Sequence, residues 1–155
     1  MPLTTLGWRE WLTLPDLGIA LIRAKVDTGA RSSALHVRSH DTFHRGDTEF
    51  VRFVVDTGVE GGDAVPAEAP VLDRRHVTDS GGHRTERVFI RTRVRLAGVD
   101  WVADVNLAHR TNMLFPMLLG RTALAGRFVV DPAASFVFGD PPASWSGWAD
   151  RVFRG

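Results

Sequence analysis

Apolar and polar residues alternate along much of the chain, a pattern typical of strands that bury one face and expose the other. In residues 90–96, apolar side chains and Thr92 alternate with arginines, which predicts a half-buried strand with a cationic outer face. The alternation resumes in residues 101–107, after a glycine that suits a turn, and residues 50–55 form a third candidate strand. These segments predict a protein built mainly from β-strands.

Shorter segments complete this pattern. We expect a hairpin around residues 15–18, because Pro-Asp-Leu-Gly is a turn sequence with an apolar run on each side. A short helix is expected at 122–125, and residues 60–70, rich in Gly, Ala and Pro, are expected to form a surface loop. The remaining strands are expected at 11–14, 19–26, 128–130 and 136–138. The sequence therefore predicts a mainly all-β fold.

The composition narrows the possible functions. The chain has 155 residues, which we divide into one domain at 1–139 and a C-terminal tail at 140–155. Its formal net charge of +1 argues against non-specific nucleic-acid binding, and the absence of cysteine excludes disulfides, thiolate catalysis and Cys-ligated zinc. Because the sequence shows neither a signal peptide nor an apolar run of ~20 residues, we expect a cytoplasmic protein that does not enter a membrane.

The first candidate for chemistry is Asp27, which stands where an apolar strand ends and is followed by Thr28 and Gly29. Glycine allows the backbone to approach, so that its N–H can donate to the carboxylate. A second carboxylate held close by would share one proton with the first, because like charges a few Å apart cannot both ionise. Such a pair can activate water with one member and protonate a carbonyl with the other.

The same motif occurs again as Asp-Thr-Gly at 56–58, so the motif alone is weakly specific. The two copies are too close in the chain for each to occupy its own lobe, and we interpret the second as an ordinary strand-to-loop turn. Asp27 is distinguished by a later segment, Met-Leu-Leu-Gly-Arg at 117–121. We expect this segment to pack behind the Asp27 loop, with Leu119 and Gly120 supporting it.

These features resemble the retropepsin pattern, in which Asp-Thr-Gly-Ala precedes a segment of two apolar residues, Gly and Arg before a helix. Here Ala30 completes the first part and Arg121 the second. The resemblance implies a single retropepsin-like lobe with one short helix, and residues 71–96 are expected to fold as a flap hairpin with a glycine-rich tip. It also implies substrate contacts from Ser80, Gly81, Gly82 and His83.

Longer blocks narrow the resemblance to bacterial retropepsin-like domains that are often labelled ATP-dependent zinc proteases. The blocks follow the order of that family, and the resemblance covers about residues 6–138. They are Gly-Trp-Arg-Glu-Trp at 7–11, the segment around Asp-Thr-Gly-Ala at 25–36, Asp-Ser-Gly-Gly at 79–82, and Met-Leu-Phe-Pro-Met-Leu-Leu-Gly-Arg at 113–121. Members are linked to RimK-type ATP-grasp ligases that add glutamates to protein or peptide ends. The resemblance implies an aspartic peptidase acting on glutamate-rich peptides.

The residues themselves do not support the zinc and ATP parts of that label. His-Glu-x-x-His and Gly-x-x-x-x-Gly-Lys are both absent. His36, His40 and His44 have the i, i+4, i+8 spacing of metal ligands on a helix. Because residues 33–37 are expected to continue as a strand, we interpret these histidines as solvated or structural. We expect neither a metal nor another cofactor, and a metallopeptidase is the third-ranked alternative.

One position departs from the viral retropepsin pattern. In viral retropepsins the second residue after the motif glycine is acidic and pairs with the arginine after the later glycine. Here that residue is Arg31, so Arg121 loses its expected partner. We hypothesise that Arg31, with Lys25 or Arg121, binds acidic substrate side chains through charge-assisted contacts. The alternative is that aspartates such as Asp79 or Asp104 neutralise these cations.

One catalytic aspartate per chain requires a second from elsewhere. We predict a C2 homodimer in which Asp27 of both protomers meets at the axis, with Thr28 and Gly29 holding the carboxylates. Residues 128–130 and 136–138 are candidate interface strands. The rival hypothesis is a non-catalytic module of the same fold that binds acidic peptides or the ligase.

Overall fold

Strands dominate the structure of the protein. The computed structural model describes four parts of the chain, residues 3–59, 61–79, 81–109 and 114–139. Ser80 and the predicted tail at 140–155 lie outside these residues. The strands are β1 (Thr4–Leu6), β2 (Arg9–Leu14), β3 (Ile19–Asp27), β4 (Ser33–Arg45), β5 (Thr48–Val55), β6 (Val65–Pro70), β7 (Asp73–Thr78), β8 (Arg84–Leu96), β9 (Val99–His109), β10 (Met117–Gly120) and β11 (Phe128–Val130). A 3-10 turn (Pro15–Leu17) and one helix, α1 (Arg121–Leu124), are short, which confirms the mainly all-β fold class.

Most strands pair into one sheet whose path closes on itself. β10 pairs in parallel with β3 on one side and antiparallel with β4 on the other. The path continues from β3 through β2, β8 and β9 back to β4, while β5 and β6 extend the sheet beyond β4. β7 pairs with the first half of β8, and β1 and β11 form a separate parallel pair. This closed lobe holds the end of β3 between β2 and β10.

The residues that face into the closed lobe form the hydrophobic core. Ile90, Val94 and Leu96 of β8 are buried together with Thr92, whereas the arginines between them are exposed, as the alternation predicts. Each buried aliphatic side chain contributes roughly 1.5–3 kcal/mol, so a shift of register by one residue would be costly. Other large and fully buried core residues are Leu6, Leu12, Leu14, Ile19, Ile22, Leu35, Phe53, Phe89, Met117 and Leu119.

The hairpin predicted around residues 15–18 is present between β2 and β3. The 3-10 turn ends at Gly18, which has a φ of 68° and donates its N–H to the Pro15 carbonyl over 3.2 Å. Glycine adopts this left-handed conformation without steric cost. The helix predicted at 122–125 is also present, one residue earlier. No helix in the described parts of the chain is long and apolar enough to span a membrane.

The surface loop predicted at 60–70 is wrong in its second half, because residues 65–70 form β6 and pair antiparallel with β5. Its composition suggested a loop because two prolines flank small residues. Pro66 and Pro70 are tolerated since β6 is the outermost strand of the sheet path, where a missing N–H donor breaks no ladder on the outer side.

The strand predicted at 136–138 is also wrong. Phe136 has a φ of 51°, which a strand does not allow. The backbone N–H groups of Val137 and Phe138 donate to the carboxylate of Glu10 at 3.1 and 3.3 Å. A buried side chain from β2 therefore takes the donors that a strand ladder would have used.

Candidate active site

Asp27 is the last residue of β3, and the chain turns immediately after it. The backbone N–H of Gly29 donates to Asp27 Oδ1 over 3.0 Å, and that of Ala30 donates to the Asp27 carbonyl over 3.3 Å. The turn therefore orients the carboxylate with a backbone donor. Asp27 is partly exposed and Thr28 is exposed, so the carboxylate is open to solvent.

β10 and α1 brace this turn from behind. β10 lies parallel to β3 and places Gly120 opposite Asp27, with Leu119 fully buried beside it. At the start of α1, the backbone N–H of Arg121 donates to the Ala30 carbonyl over 2.7 Å. The two segments that the sequence singled out are thus brought together in one support.

The approach of β10 to the turn is so close that only glycine fits at position 120. A Cβ atom there would lie 2.5 Å from the carbonyl carbon of Ser32 and 2.6 Å from its oxygen. The N–H of Gly120 donates to the buried Ser33 Oγ over 3.0 Å, and the Thr122 hydroxyl donates to the Arg31 carbonyl over 2.9 Å. These contacts fix the turn after Asp27 against β10 and α1.

The second copy of the motif has a different environment. Arg38 donates two hydrogen bonds to the Asp56 carboxylate, at 2.7 and 2.6 Å. Hydrogen bonding to Asp56 raises the pKa of Arg38. The carbonyl of Thr57 accepts a hydrogen bond from the Arg23 N–H over 3.0 Å. Asp56 therefore joins two neighbouring strands in a loop after β5, as its interpretation as an ordinary turn predicts.

β7 and β8 form the predicted flap hairpin, and Asp79 organises its tip. The backbone N–H groups of Gly81 and His83 both donate to Asp79 Oδ1 over 2.9 Å. Both hydrogen bonds lower the pKa of Asp79, and the bond from the His83 N–H has the larger effect. Gly81, Gly82 and His83 are exposed, so they are accessible to a ligand.

Three exposed cations that we predicted to contact substrate surround the Asp27 turn, and they form no ion pair with any other described residue: Lys25, Arg31 and Arg121. Asp104 pairs instead with arginines of β7 and β8, and Asp79 is held within the flap tip. Neither aspartate that we considered as a neutralising partner is used in that way.

The three histidines with metal-like spacing lie on β4 and not on a helix, since the strand predicted at 33–37 continues to Arg45. His36 is buried, with Nδ1 at 2.6 Å from the Phe115 carbonyl, whereas His40 and His44 are exposed. Among the described residues, no group of three His, Asp or Glu side chains is arranged to hold a metal ion.

Glu10 is a buried carboxylate whose role sequence reasoning missed. It is 1% exposed and accepts hydrogen bonds from Gly7 N–H over 2.7 Å and from the backbone of residues 137–138. It thereby fastens the end of the described chain to the start of β2, next to the candidate site. Glu10, Leu12 and Leu14 occupy alternate positions in the sequence, and this pattern could have predicted that the Glu10 side chain points inwards.

The chain is similar to known proteins. Residues 5–141 match the model of the RimB-like family, described as retropepsin-like aspartic endopeptidase RimB. Two probable alpha-L-glutamate ligases, from Desulfotalea psychrophila and Parasynechococcus marenigrum, are each 37% identical over 136 and 139 residues. These matches cover 87% and 86% of this chain but 29% of each relative, so the chain spans less than a third of their length.

A solved structure with the same fold is that of a Legionella pneumophila protein of unknown function. It superposes with a TM-score of 0.72 at 26% identity, and the match covers 88% of this chain and 98% of that one. The family model covers most of the chain, including the Asp27 turn, the flap hairpin and β10. The chain therefore belongs to the RimB-like family of retropepsin-like aspartic endopeptidases.

Proposed function

We propose that the chain is an active aspartic peptidase whose catalytic pair is Asp27 from each of two protomers. The observation that carries this proposal is the environment of Asp27. Its carboxylate is oriented by the Gly29 N–H, is open to solvent and has no cationic partner among the described residues. Asp56 in the same motif is neutralised by Arg38, so the motif does not itself dictate a free carboxylate.

The reaction follows from one proton shared by two carboxylates. The ionised Asp27 of one protomer takes a proton from water as the water oxygen bonds to the peptide carbonyl carbon. The protonated Asp27 of the other protomer gives its proton to the carbonyl oxygen. The first Asp27 then gives the proton it took from water to the peptide nitrogen, and the second takes a proton from a hydroxyl group of the tetrahedral intermediate as the C–N bond breaks. This releases the acid and the amine and leaves one proton on the pair again. Gly29 holds each carboxylate, and the flap tip covers the substrate.

A homodimer supplies the second carboxylate, because one lobe contributes one such turn. The β1–β11 pair exposes apolar side chains, with Val129 45% and the adjacent Leu3 43% exposed. Exposed apolar groups at paired chain segments favour an interface.

A cleft of about 580 Å³ on one protomer, near Asp41 and Glu68, contains none of the predicted site residues. We therefore assign the substrate cleft to the dimer axis.

Acidic peptides are the proposed substrates. Lys25, Arg31 and Arg121 place positive charge around Asp27 without ion-pair partners among the described residues. The relatives that contain a matching segment are named glutamate ligases, which supports a functional link between this domain and a ligase that adds glutamates. Arginine forks bind carboxylates bidentately, so a glutamate-rich chain is a suitable ligand.

The decisive experiment offers oligoglutamate and mixed peptides to the wild-type protein and to Asp27→Asn. We expect hydrolysis by the wild type and a loss of at least about 1000-fold in Asp27→Asn, because the variant lacks the base and the shared proton. Asp56→Asn is the matched control and should retain activity. Equal turnover by wild type and Asp27→Asn would contradict the proposal. A folded wild type that binds but cleaves no peptide would favour the non-catalytic module.

A further inference from the structure

Two half-buried arginines, Arg9 of β2 and Arg23 of β3, lie on the paired strands that lead to the Asp27 turn. We propose that Arg9 and Arg23 form an anion subsite that binds a carboxylate of an acidic substrate. This inference deepens the proposed function and rests on it. The subsite adds a specificity determinant to the exposed cations already described.

The strand register places both arginines on the face of the sheet that carries Asp27. In β3, Ala24 and Val26 are buried in the core, so the side chains at 23, 25 and 27 lie on the opposite face. Arg9 of β2 is paired with Lys25 and lies diagonally from Arg23. At ~3.3 Å per residue, Arg23 lies ~13 Å from Asp27 along the strand, within the span of an extended peptide of about four residues.

Aromatic rings hold both guanidinium groups in place. Arg9 Cζ is 4.7 Å from the ring centroids of both Trp8 and Phe136. Arg23 Cζ is 5.0 Å from the Phe115 centroid. Trp8 and Phe115 contact each other edge to face at 5.7 Å, so the two arginines share one aromatic frame. A frame of this kind reduces the side-chain entropy lost when a ligand binds.

The charge of this pair is not compensated within the described residues. The Nε atoms of Arg9 and Arg23 are buried and have no hydrogen-bond partner there, and neither guanidinium forms an ion pair with a carboxylate. Burial, and then the charge of Arg9, lower the pKa of Arg23. Like charges on neighbouring paired strands repel each other and destabilise the fold. A bound anion would offset this repulsion and the desolvation of the two guanidinium groups.

The chemistry of the pair selects a carboxylate. Arg23 Nη2 donates to the Leu114 carbonyl over 2.7 Å, which fixes the direction of that guanidinium. The remaining N–H groups of the two planar forks match carboxylate oxygens, whereas a neutral amide lacks the charge that offsets their desolvation. An acidic peptide presents carboxylates of two kinds, on its side chains and at its C-terminus. Both kinds are within reach of an extended chain that crosses Asp27, and the test below separates them.

The test compares peptides with Glu or Gln on both sides of the cleaved bond, each with a free or an amidated C-terminus. In Arg23→Met, which keeps the apolar stem, we expect the Glu-to-Gln ratio of kcat/KM to fall about 10- to 100-fold. Arg93→Met, an exposed arginine of β8, is the matched control and should keep the wild-type ratio. A fall confined to free-C-terminus peptides assigns the terminal carboxylate, and a fall in both assigns side chains. An unchanged ratio overturns the subsite.

A binding arm keeps this inference separable from the proposed function. Asp27→Asn protein is titrated with oligoglutamate by calorimetry, with and without Arg23→Met, and we expect at least a tenfold loss of affinity from the second change. If no peptide is ever cleaved but this loss appears, the catalytic proposal fails and the subsite stands. If cleavage depends on Asp27 but the loss is absent, the subsite alone fails. Should Arg23→Met not fold by circular dichroism, Arg9→Met and Arg23→Gln serve in both arms.

Discussion

Asp27 and Asp56 carry the same motif, but their partners give them different chemistry. Asp27 faces solvent with a backbone donor at 3.0 Å, whereas Asp56 is gripped by the Arg38 fork at 2.6 and 2.7 Å. A carboxylate bound in that way has its lone pairs occupied and its charge balanced, so it makes a poor base. The proposed catalytic role of Asp27 therefore rests on what surrounds the motif, above all the support from β10.

At residue scale, the brace predicts the effect of Gly120→Ala. The new methyl group would overlap the Ser32 carbonyl, so we expect the free energy of unfolding to fall by about 1–3 kcal/mol and peptidase activity to fall with it. Urea unfolding and peptide hydrolysis measure the two effects. Gly126→Ala is the control, because Gly126 has a φ of 81° but no atom near its missing Cβ. It should lose about 1 kcal/mol and keep its activity. A fully stable Gly120→Ala protein would contradict the tight packing.

Residues that act through local sequence were the predictable ones. The close placement of the Asp27 turn and Gly120 was predictable because each stands at the end of an apolar strand in a short, recognisable motif. The proposed subsite of Arg9 and Arg23 was not predictable, because the environment of these arginines depends on rings at positions 115 and 136, far along the chain. Such contacts exist only once the strands are paired, so no local pattern reports them.

At the scale of elements, β10 is the strand that holds the Asp27 turn in position. It lies between β3 and β4 and therefore joins the two segments that flank the Asp27 turn. Buried Asn106 of β9 adds a link to the flap, since it accepts from Arg87 over 3.1 Å and donates to the Ser33 carbonyl over 2.9 Å. The base of the flap and the Asp27 turn thus share one hydrogen-bonded support.

The flap tip should loosen in acid. The pKa of Asp79 is lower in the folded chain than in the unfolded one, chiefly because the His83 N–H donates to it. The ionised Asp79 carboxylate therefore stabilises the flap tip fully at pH values above its unfolded-state pKa of about 3.9. This stabilisation is lost as the pH falls through the lower pKa of the folded chain. The amide resonances of Gly81 and His83, followed by NMR against pH, should move together with a midpoint below 3.9. Asp79→Asn should abolish the transition, and a midpoint above 3.9 would contradict the hydrogen bonds.

Strands were predicted correctly where buried and exposed residues alternate. They were predicted wrongly where the position of a strand in the sheet or a distant side chain decides the local structure. The long strands β8 and β9 follow their alternating pattern closely. β6 was missed because its prolines suit an edge strand, and edge position is a property of the whole sheet. The segment at 136–138 was misread because the partner of its N–H groups is Glu10, at the other end of the described chain.

At the scale of the whole molecule, charges are sorted by position. Six arginines on β4, β7 and β8 pair with carboxylates: Arg38, Arg45, Arg74, Arg75, Arg91 and Arg95. The cations around the Asp27 turn have no such partners among the described residues. These unpaired cations focus positive charge around the Asp27 turn, although the net charge of the chain is only +1. Such focusing attracts anionic ligands to a cleft, and it weakens as salt increases.

The proposed sharing of one catalytic pair across a C2 axis makes a numerical prediction for mixed dimers. If wild type and Asp27→Asn are mixed in equal amounts under conditions that exchange subunits, about one quarter of the dimers hold two intact carboxylates. Because the mechanism needs one base and one acid, we expect activity to fall to about one quarter of that of the same total amount of wild-type protein. A protomer that worked alone would leave about one half. Native mass spectrometry verifies the exchange, and mixing with Asp56→Asn, which leaves every Asp27 pair intact, supplies the control. An activity near one half after complete exchange would refute the shared pair.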